Sequence, residues 1–143
     1  MVETMPFVSV TRLKLRSLRF LPRFAWMAFR TSRQARGAQG FRAGSVLRDR
    51  ALTFWTLTLW DQEESMRRYM TAGAHRAAMP RLITWCDEAS VVHWTQAEES
   101  VPSWQEADRR MRAEGRPSKV RHPSPDHASL AYRPPRTDRG NSI

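Results

Sequence analysis

The sequence predicts an α+β fold in which two amphipathic helices cover one face of an antiparallel sheet. Four segments alternate with a period of two, two longer segments carry apolar residues at helical spacing, and the order is strand–helix–strand–strand–helix–strand. The first strand runs from Phe7 to Leu15, with Phe7, Ser9, Thr11 and Leu13 on one face and Val8 and Val10 on the other. The first helix spans Pro22 to Arg36: proline suits its first turn, Gly37 follows its end, and Phe24, Met27, Ala28, Thr31 and Ala35 form its inward stripe. Gly40 to Arg48 is a weaker second strand, in which Gly44 marks a bulge or a close backbone approach. Asp49-Arg50-Ala51 turns the chain into the third strand, Leu52 to Trp60. There Trp55, Leu57 and Leu59 point one way and Phe54, Thr56, Thr58 and Trp60 the other. A second helix is expected from Gln62 to Asp87, kinked near Gly73 and at Pro80, with Asp61 as its N-cap and Glu64 three residues on. Ala89 to Thr95 is the fourth strand.

This β-α-β-β-α-β order is the ferredoxin-like pattern. Its helices cover one sheet face only, and both strand faces here carry large apolar side chains, so the second face needs a cover. The sheet of a second subunit is the expected one, giving a homodimer closed as an α/β barrel. A third helix starts at Ser103, an N-cap with Glu106 three residues on, and stops at Gly115. Residues 1–118 are thus expected to form a single domain. Residues 119–143 are rich in Pro, Arg and Ser without hydrophobic period and are expected as a mobile tail, most clearly from Ser129.

Composition narrows the function. The 143 residues include six Trp and six Phe and are 41% hydrophobic, enough for a modest core. The single cysteine, Cys86, excludes an internal disulfide and suits a reducing, cytoplasmic compartment. No apolar run approaches the ~20 residues of a membrane span. The net charge is +10, and ten basic residues fall between Thr4 and Arg48 without one acid. Such a surface attracts polyanions, but no nucleic-acid-reading motif accompanies it, so nucleic acid is not the expected partner. On the first helix Trp26 shares a face with Arg23, Arg30 and Arg33, which reads either as cation–π surface packing or as an entrance or interface. GxGxxG, P-loop, HExxH and nucleophile-elbow motifs are all absent, which disfavours nucleotide hydrolysis, standard zinc chemistry and Rossmann-type cofactors.

Two motifs carry a family resemblance. Trp60-Asp61-x-x-Glu64-Ser65-Met66, followed by Gly73-Ala74-His75 and Ala78-Met79, is similar to the strand-to-helix junction and His-bearing helix of spheroidene monooxygenase-like proteins and small uncharacterised relatives. Val92-His93-Trp94, then Val101-Pro102-Ser103-x-x-Glu106-Ala107-x-x-Arg110-Met111 and Gly115-Arg116-Pro117-Ser118, resembles the C-terminal part of those relatives. Together they span most of residues 53–118. They place the chain beside the dimeric α/β-barrel superfamily of antibiotic-biosynthesis monooxygenase-like proteins. The resemblance implies a monooxygenase-like oxidoreductase of secondary metabolism, acting on a hydrophobic metabolite between sheet and helices. It also implies haem as a candidate cofactor. Haem-degrading relatives ligate iron through a histidine of the second helix; motif matching puts Met79 there, with His75 one turn earlier. The alternatives are a cofactor-free oxygenase, a binding protein or isomerase using the same pocket, and an interaction module built on the basic first helix.

Among individual residues, His75 is the candidate catalytic group, as acid/base or as haem-iron ligand with Met79. The competing reading is a histidine that bonds locally and fixes the helix kink. Trp55, Trp60, Met66, Tyr69, Met79 and Trp85 are the expected pocket walls, although core packing also accounts for such residues. His93 and Trp94 alternate to opposite faces, and His93 is expected at the rim of the dimer contact. His122 and His127 lie in Pro-rich sequence and are expected in solvent. Cys86 reads as a buried structural thiol, since no base is placed beside it.

Overall fold

The computed structural model describes residues 5–143, apart from the side chain of Arg139. Six strands form one antiparallel sheet in the order β5-β4-β1-β3-β2-β6. They are β1 (Phe7–Leu15), β2 (Phe41–Arg48), β3 (Thr53–Trp60), β4 (Cys86–Thr95), β5 (Arg116–Pro117) and β6 (Gly140–Ser142). The four helices are α1 (Leu21–Arg36), α2 (Glu63–Met70), α3 (Gly73–Trp85) and α4 (Trp104–Glu114). The ferredoxin-like α+β fold predicted from periodicity is the one observed. β1 lies at its centre, and its buried Val8 and Val10 reflect pairing on both edges. Among the described residues, no helix is long and apolar enough to cross a membrane.

Three local details differ from expectation. The long second helix is two helices: Ala72 is extended (φ −129°, ψ 156°) and Gly73 sits at φ +55°, so the chain turns between α2 and α3. Pro80 lies inside α3, which continues to Trp85, and β4 follows directly at Cys86. Gln62, not Asp61, is the N-cap of α2; Asp61 instead accepts a hydrogen bond from Ser65 Oγ at 2.5 Å. The β2–β3 hairpin closes through Ala51 (φ 56°) and Leu52 (φ 60°), two non-glycine residues in the left-handed region. Thr53 N–H donates to Arg50 O across that turn at 3.2 Å.

The largest difference concerns the second sheet face. Val8, Val10, Trp55, Leu57, Leu59, Val92 and Trp94 form its core, covered by Ala107 and Met111 of α4 and by Tyr132. Where the sequence predicts a mobile tail, a packed segment is found. Tyr132 is buried, its ring meets Trp55 edge-on at 5.5 Å, and its hydroxyl donates to Asp108 Oδ1 at 2.7 Å. Gly140–Ser142 extends the sheet as β6 on β2. The chain therefore supplies on this face the cover for which a second subunit was invoked. Beneath it lies a buried ion pair, Arg12 to Glu88 at 2.7 Å. Ser124 Oγ donates to the other oxygen of Glu88 at 2.9 Å. His127, expected in solvent, is buried, and its Nδ1 accepts from Ala89 N–H at 3.4 Å; His122 is exposed. Burial opposes ionisation of Glu88, but hydrogen bonds from Arg12 and Ser124 and the charge of Lys14 outweigh it and hold the carboxyl below its ordinary range.

Candidate functional site

Between the sheet and α1, α2 and α3 lies a cavity of about 390 Å³, in the size range of small-molecule sites. Strand register arranges its floor in cross-strand rows. Ser9 pairs with Thr58 on one side and His93 on the other; Thr11 pairs with Thr56 and Val91; Leu13 pairs with Phe54 and Ala89. The first two rows are mostly polar and the third is apolar, so the floor changes character along the strands. Phe24, Met27, Ala28 and Leu82 close the cavity over the apolar part, while Met66, Tyr69, Met70 and His75 come from α2 and the start of α3.

His75 is held by its neighbours on both helices. Its backbone N–H donates to Gln34 Oε1 at 2.8 Å, and the same amide's Nε2 donates to Tyr69 O (3.1 Å) and Ala72 O (2.9 Å). Gln34 thus ties the α2–α3 turn to α1. A Cβ on Gly73 would press on Gln34 at 3.3 Å in a backbone conformation that L side chains seldom adopt. The imidazole Nδ1 lies 3.1 Å from Met70 O. A carbonyl can only accept, so Nδ1 carries the proton and Nε2 is left as the ring's free base. The Tyr69 ring flanks it at 4.9 Å, and the Tyr69 hydroxyl donates to Thr31 O at 3.0 Å. Burial holds the His75 pKa below its ordinary value, partly offset by the bond to Met70, and pushes the Tyr69 phenol up to about 12. At neutral pH the cavity therefore holds a neutral imidazole and a neutral phenol. The local hydrogen bond anticipated for a structural histidine exists, and it leaves the second nitrogen available.

The other expected site residues divide by strand parity and helix face. Met66, Tyr69 and Met79 line the cavity with His75; Met79 is 43% exposed. Trp55 points to the opposite sheet face, as its alternation with Thr56 requires. Trp60 lies behind the cavity wall, 5.2 Å from Tyr69, and Trp85 packs with Leu15, Phe24 and Cys86. Cys86 is buried and its thiol is pushed up to about 12 by burial and then by Asp87, so it is an inert thiol at neutral pH. His93, expected at a dimer rim, lines the cavity, and Trp94 faces α4. Its Nε2 is buried without a hydrogen-bond partner among the described residues. Burial, followed by the charge of Arg116, keeps His93 below its ordinary pKa. Arg116 and Lys119 complete one side of the cavity; sequence reasoning missed them, because only β5 pairing with β4 brings them there. Among the described residues, no group of three or more His, Cys, Asp or Glu could hold a metal ion.

The model of a domain of unknown function, DUF3291, matches residues 19–118. No curated protein matches the chain in sequence. Solved structures share its fold. SnoaB, a cofactor-independent oxygenase from Streptomyces nogalater, aligns with TM-score 0.55 and 16% identity over 66% of this chain and 95% of its own. NE2512, a protein of unknown function from Nitrosomonas europaea, gives 0.58 and 14% over 71% and 99%. PA3566 from Pseudomonas aeruginosa gives 0.59 and 8% over 68% and 100%. At such identities the likeness is one of fold.

Proposed function

The chain belongs to the DUF3291 family, and from that premise we propose that it is a small oxidoreductase that oxygenates a hydrophobic metabolite in the cavity without a cofactor. The observation that carries this reading is His75, a half-buried neutral imidazole whose Nδ1–H is held by Met70 O and whose Nε2 is free. A general base of depressed pKa beside an apolar wall suits removal of a proton from an activated CH₂ flanked by carbonyl or aryl groups. Nε2 takes that proton, and the carbanion left behind passes electrons to dioxygen. The balance is R₂CH₂ + O₂ → R₂C=O + H₂O: carbon loses four electrons, one oxygen atom stays in the product and the other leaves as water. The same fold in SnoaB, a cofactor-independent oxygenase, supports the assignment.

Oxygen uptake with anthrone as probe tests it. Uptake is expected at one O₂ per ketone formed, falling about 10²–10⁴-fold in His75→Ala, the span of one acid/base group. Undiminished uptake in that variant would remove His75 from the mechanism. Proton exchange of the probe in D₂O without oxygen uptake would favour an isomerase on the same site.

Haem is the cofactor the family resemblance implies, and one feature here fits it: metal-bound histidines commonly donate the N–H of their second nitrogen to a carbonyl, as His75 does to Met70. His75 would hold the iron and Met79 would lie one turn away; haem would supply dioxygen activation. Visible absorbance on haem titration decides this, since a Soret band lost in His75→Ala assigns the ligand and no band leaves His75 as acid/base alone.

A second reading rests on the outer face of α1 and the short turn before it. Leu18, Trp26 and Phe29 are 68%, 63% and 51% exposed, Trp26 stacks on Phe29 at 5.9 Å, and Arg19, Arg23, Arg30 and Arg33 surround them, all exposed. Apolar side chains edged by arginines suit an anionic lipid surface. Co-sedimentation with vesicles containing phosphatidylserine is expected to weaken steeply with salt and to drop in Trp26→Ser/Phe29→Ser. Binding that ignores both would discard this reading.

A further inference from the structure

The cavity's charged lining is one-sided. Of the residues around it, Arg116 and Lys119 carry the only full charges, and no carboxylate lines it. Neither cation forms a salt bridge among the described residues. Arg116 sits opposite Val91 in the β4–β5 pairing, and on the cavity floor His93 lies two residues further along β4. His93 Nε2 is a buried polar atom with no hydrogen-bond partner among the described residues, an unfavourable state unless something in the cavity satisfies it. Ser9 and Thr58 continue the same row with hydroxyls. Leu13, Ala89 and Phe24 make the opposite part of the floor and roof apolar, and Lys119 is exposed at its edge, because Ser118 N–H donates to Ala89 O and carries the chain past Ala89, away from His93.

We propose that this end is an anion anchor, and that the substrate class is a flat hydrophobic acid whose carboxylate or phenolate oxygen is held by Arg116 beside His93 while its apolar rings lie towards Leu13 and Phe24. The inference rests on the reading of the cavity as the substrate site and goes beyond it, because nothing in the action of His75 requires a charged substrate. Arg116 gives the acid its preference; His93 Nε2 gives the oxygen a fixed position. Arg116 is exposed at the mouth, so the preference sits at the low end for a charge-assisted contact, about tenfold.

The experiment compares two fluorescent probes of matched shape, 2-naphthoate and 2-naphthalenemethanol, in titrations of the full chain at about 0.15 M salt, where charges beyond ~8 Å are screened. The wild-type protein is expected to bind the acid about tenfold more tightly than the alcohol. Arg116→Gln is expected to cut that ratio to about twofold while alcohol affinity stays unchanged. Arg121→Gln, which alters an exposed arginine outside the lining, should leave the ratio intact and so separates a local anchor from the general positive charge. His75→Ala should also keep the ratio while losing oxygen uptake, so failure of the anchor and failure of the oxygenase reading are distinguishable. Equal binding of both probes, or a preference unchanged in Arg116→Gln, overturns the anchor; binding of neither overturns the cavity as a site for such acids.

Discussion

Replacing Tyr132 by alanine tests whether the C-terminal segment is a structural wall or a tail. The side chain is 7% exposed, and its ring contacts Trp55 and lies 4.3 Å beneath the Arg12 guanidinium and 4.2 Å from that of Arg112. Truncating a buried aromatic costs about 3–5 kcal/mol through lost transfer energy and the cavity left behind. The lost cation–π contacts and the orphaned Asp108 acceptor add to this, while collapse of the segment recovers part, so about 4 kcal/mol is expected. That is a large fraction of the ~5–15 kcal/mol that holds a domain together. With a slope of about 2 kcal/mol/M the urea midpoint should fall by about 2 M, read by Trp fluorescence. Tyr132→Phe keeps the ring and loses only the hydroxyl bond to Asp108, so it should cost about 1–2 kcal/mol. The alanine variant should also self-associate, because it uncovers apolar sheet surface around Trp55. A loss below about 1 kcal/mol in Tyr132→Ala would mean the segment does not seal this face, and the case for a partner sheet would return.

Other outcomes follow from the same geometry. Burial depresses the His75 pKa, so its neutral form persists below the ordinary ~6.5 of histidine. Its stability contribution is complete above pH 6.5 and is lost as pH falls from there through the folded value. The kcat/KM profile of oxygen uptake should rise through that folded value, with its midpoint below the ordinary ~6.5, and lose this limb in His75→Gln; a limb centred above pH 7 would contradict the assignment. Arg12→Met strands the buried Glu88 carboxylate and should cost about 3–5 kcal/mol, whereas Arg12→Met/Glu88→Met should recover most of it in chemical denaturation. Glu88 has a depressed folded pKa, so its contribution is present above the ordinary carboxylate range and lost as pH falls through the folded value; wild-type stability should decline there more steeply than that of the double variant. Ala51→Asn relieves a left-handed alanine and should add about 1 kcal/mol, raising Tm by roughly 3 °C in a calorimetric scan.

The sheet, α1 and α4 were legible because each depends on local periodicity and end signals. Ser103 reads as an N-cap from sequence and does accept from Glu106 N–H at 3.1 Å. The break between α2 and α3 was only half legible: Gly73 announced a kink, but its φ of +55° and the Gln34 clamp come from a residue 41 positions before His75. His75 and Tyr69 were legible only as separate candidates on the expected second helix; the turn between α2 and α3 brings their rings together. His93 was misplaced because alternation puts it opposite Trp94 without saying which face holds the cavity. Placing Trp55 and Trp60 in one pocket ignored the parity that separates them.

The sequence by itself determined the order and type of the elements, since a period of two or of 3.6 is a property of neighbouring residues, and it determined the excess positive charge and the single thiol. Only the tertiary structure decided what covers the second sheet face. Tyr132 is read as tail composition until Trp55, 77 positions earlier in the chain, is placed under its ring. It also decided that Arg116, Lys119 and His93 share a cavity with His75. Those juxtapositions depend on strand register and on which face each helix packs, and both are fixed by burial over the whole chain rather than by any local pattern.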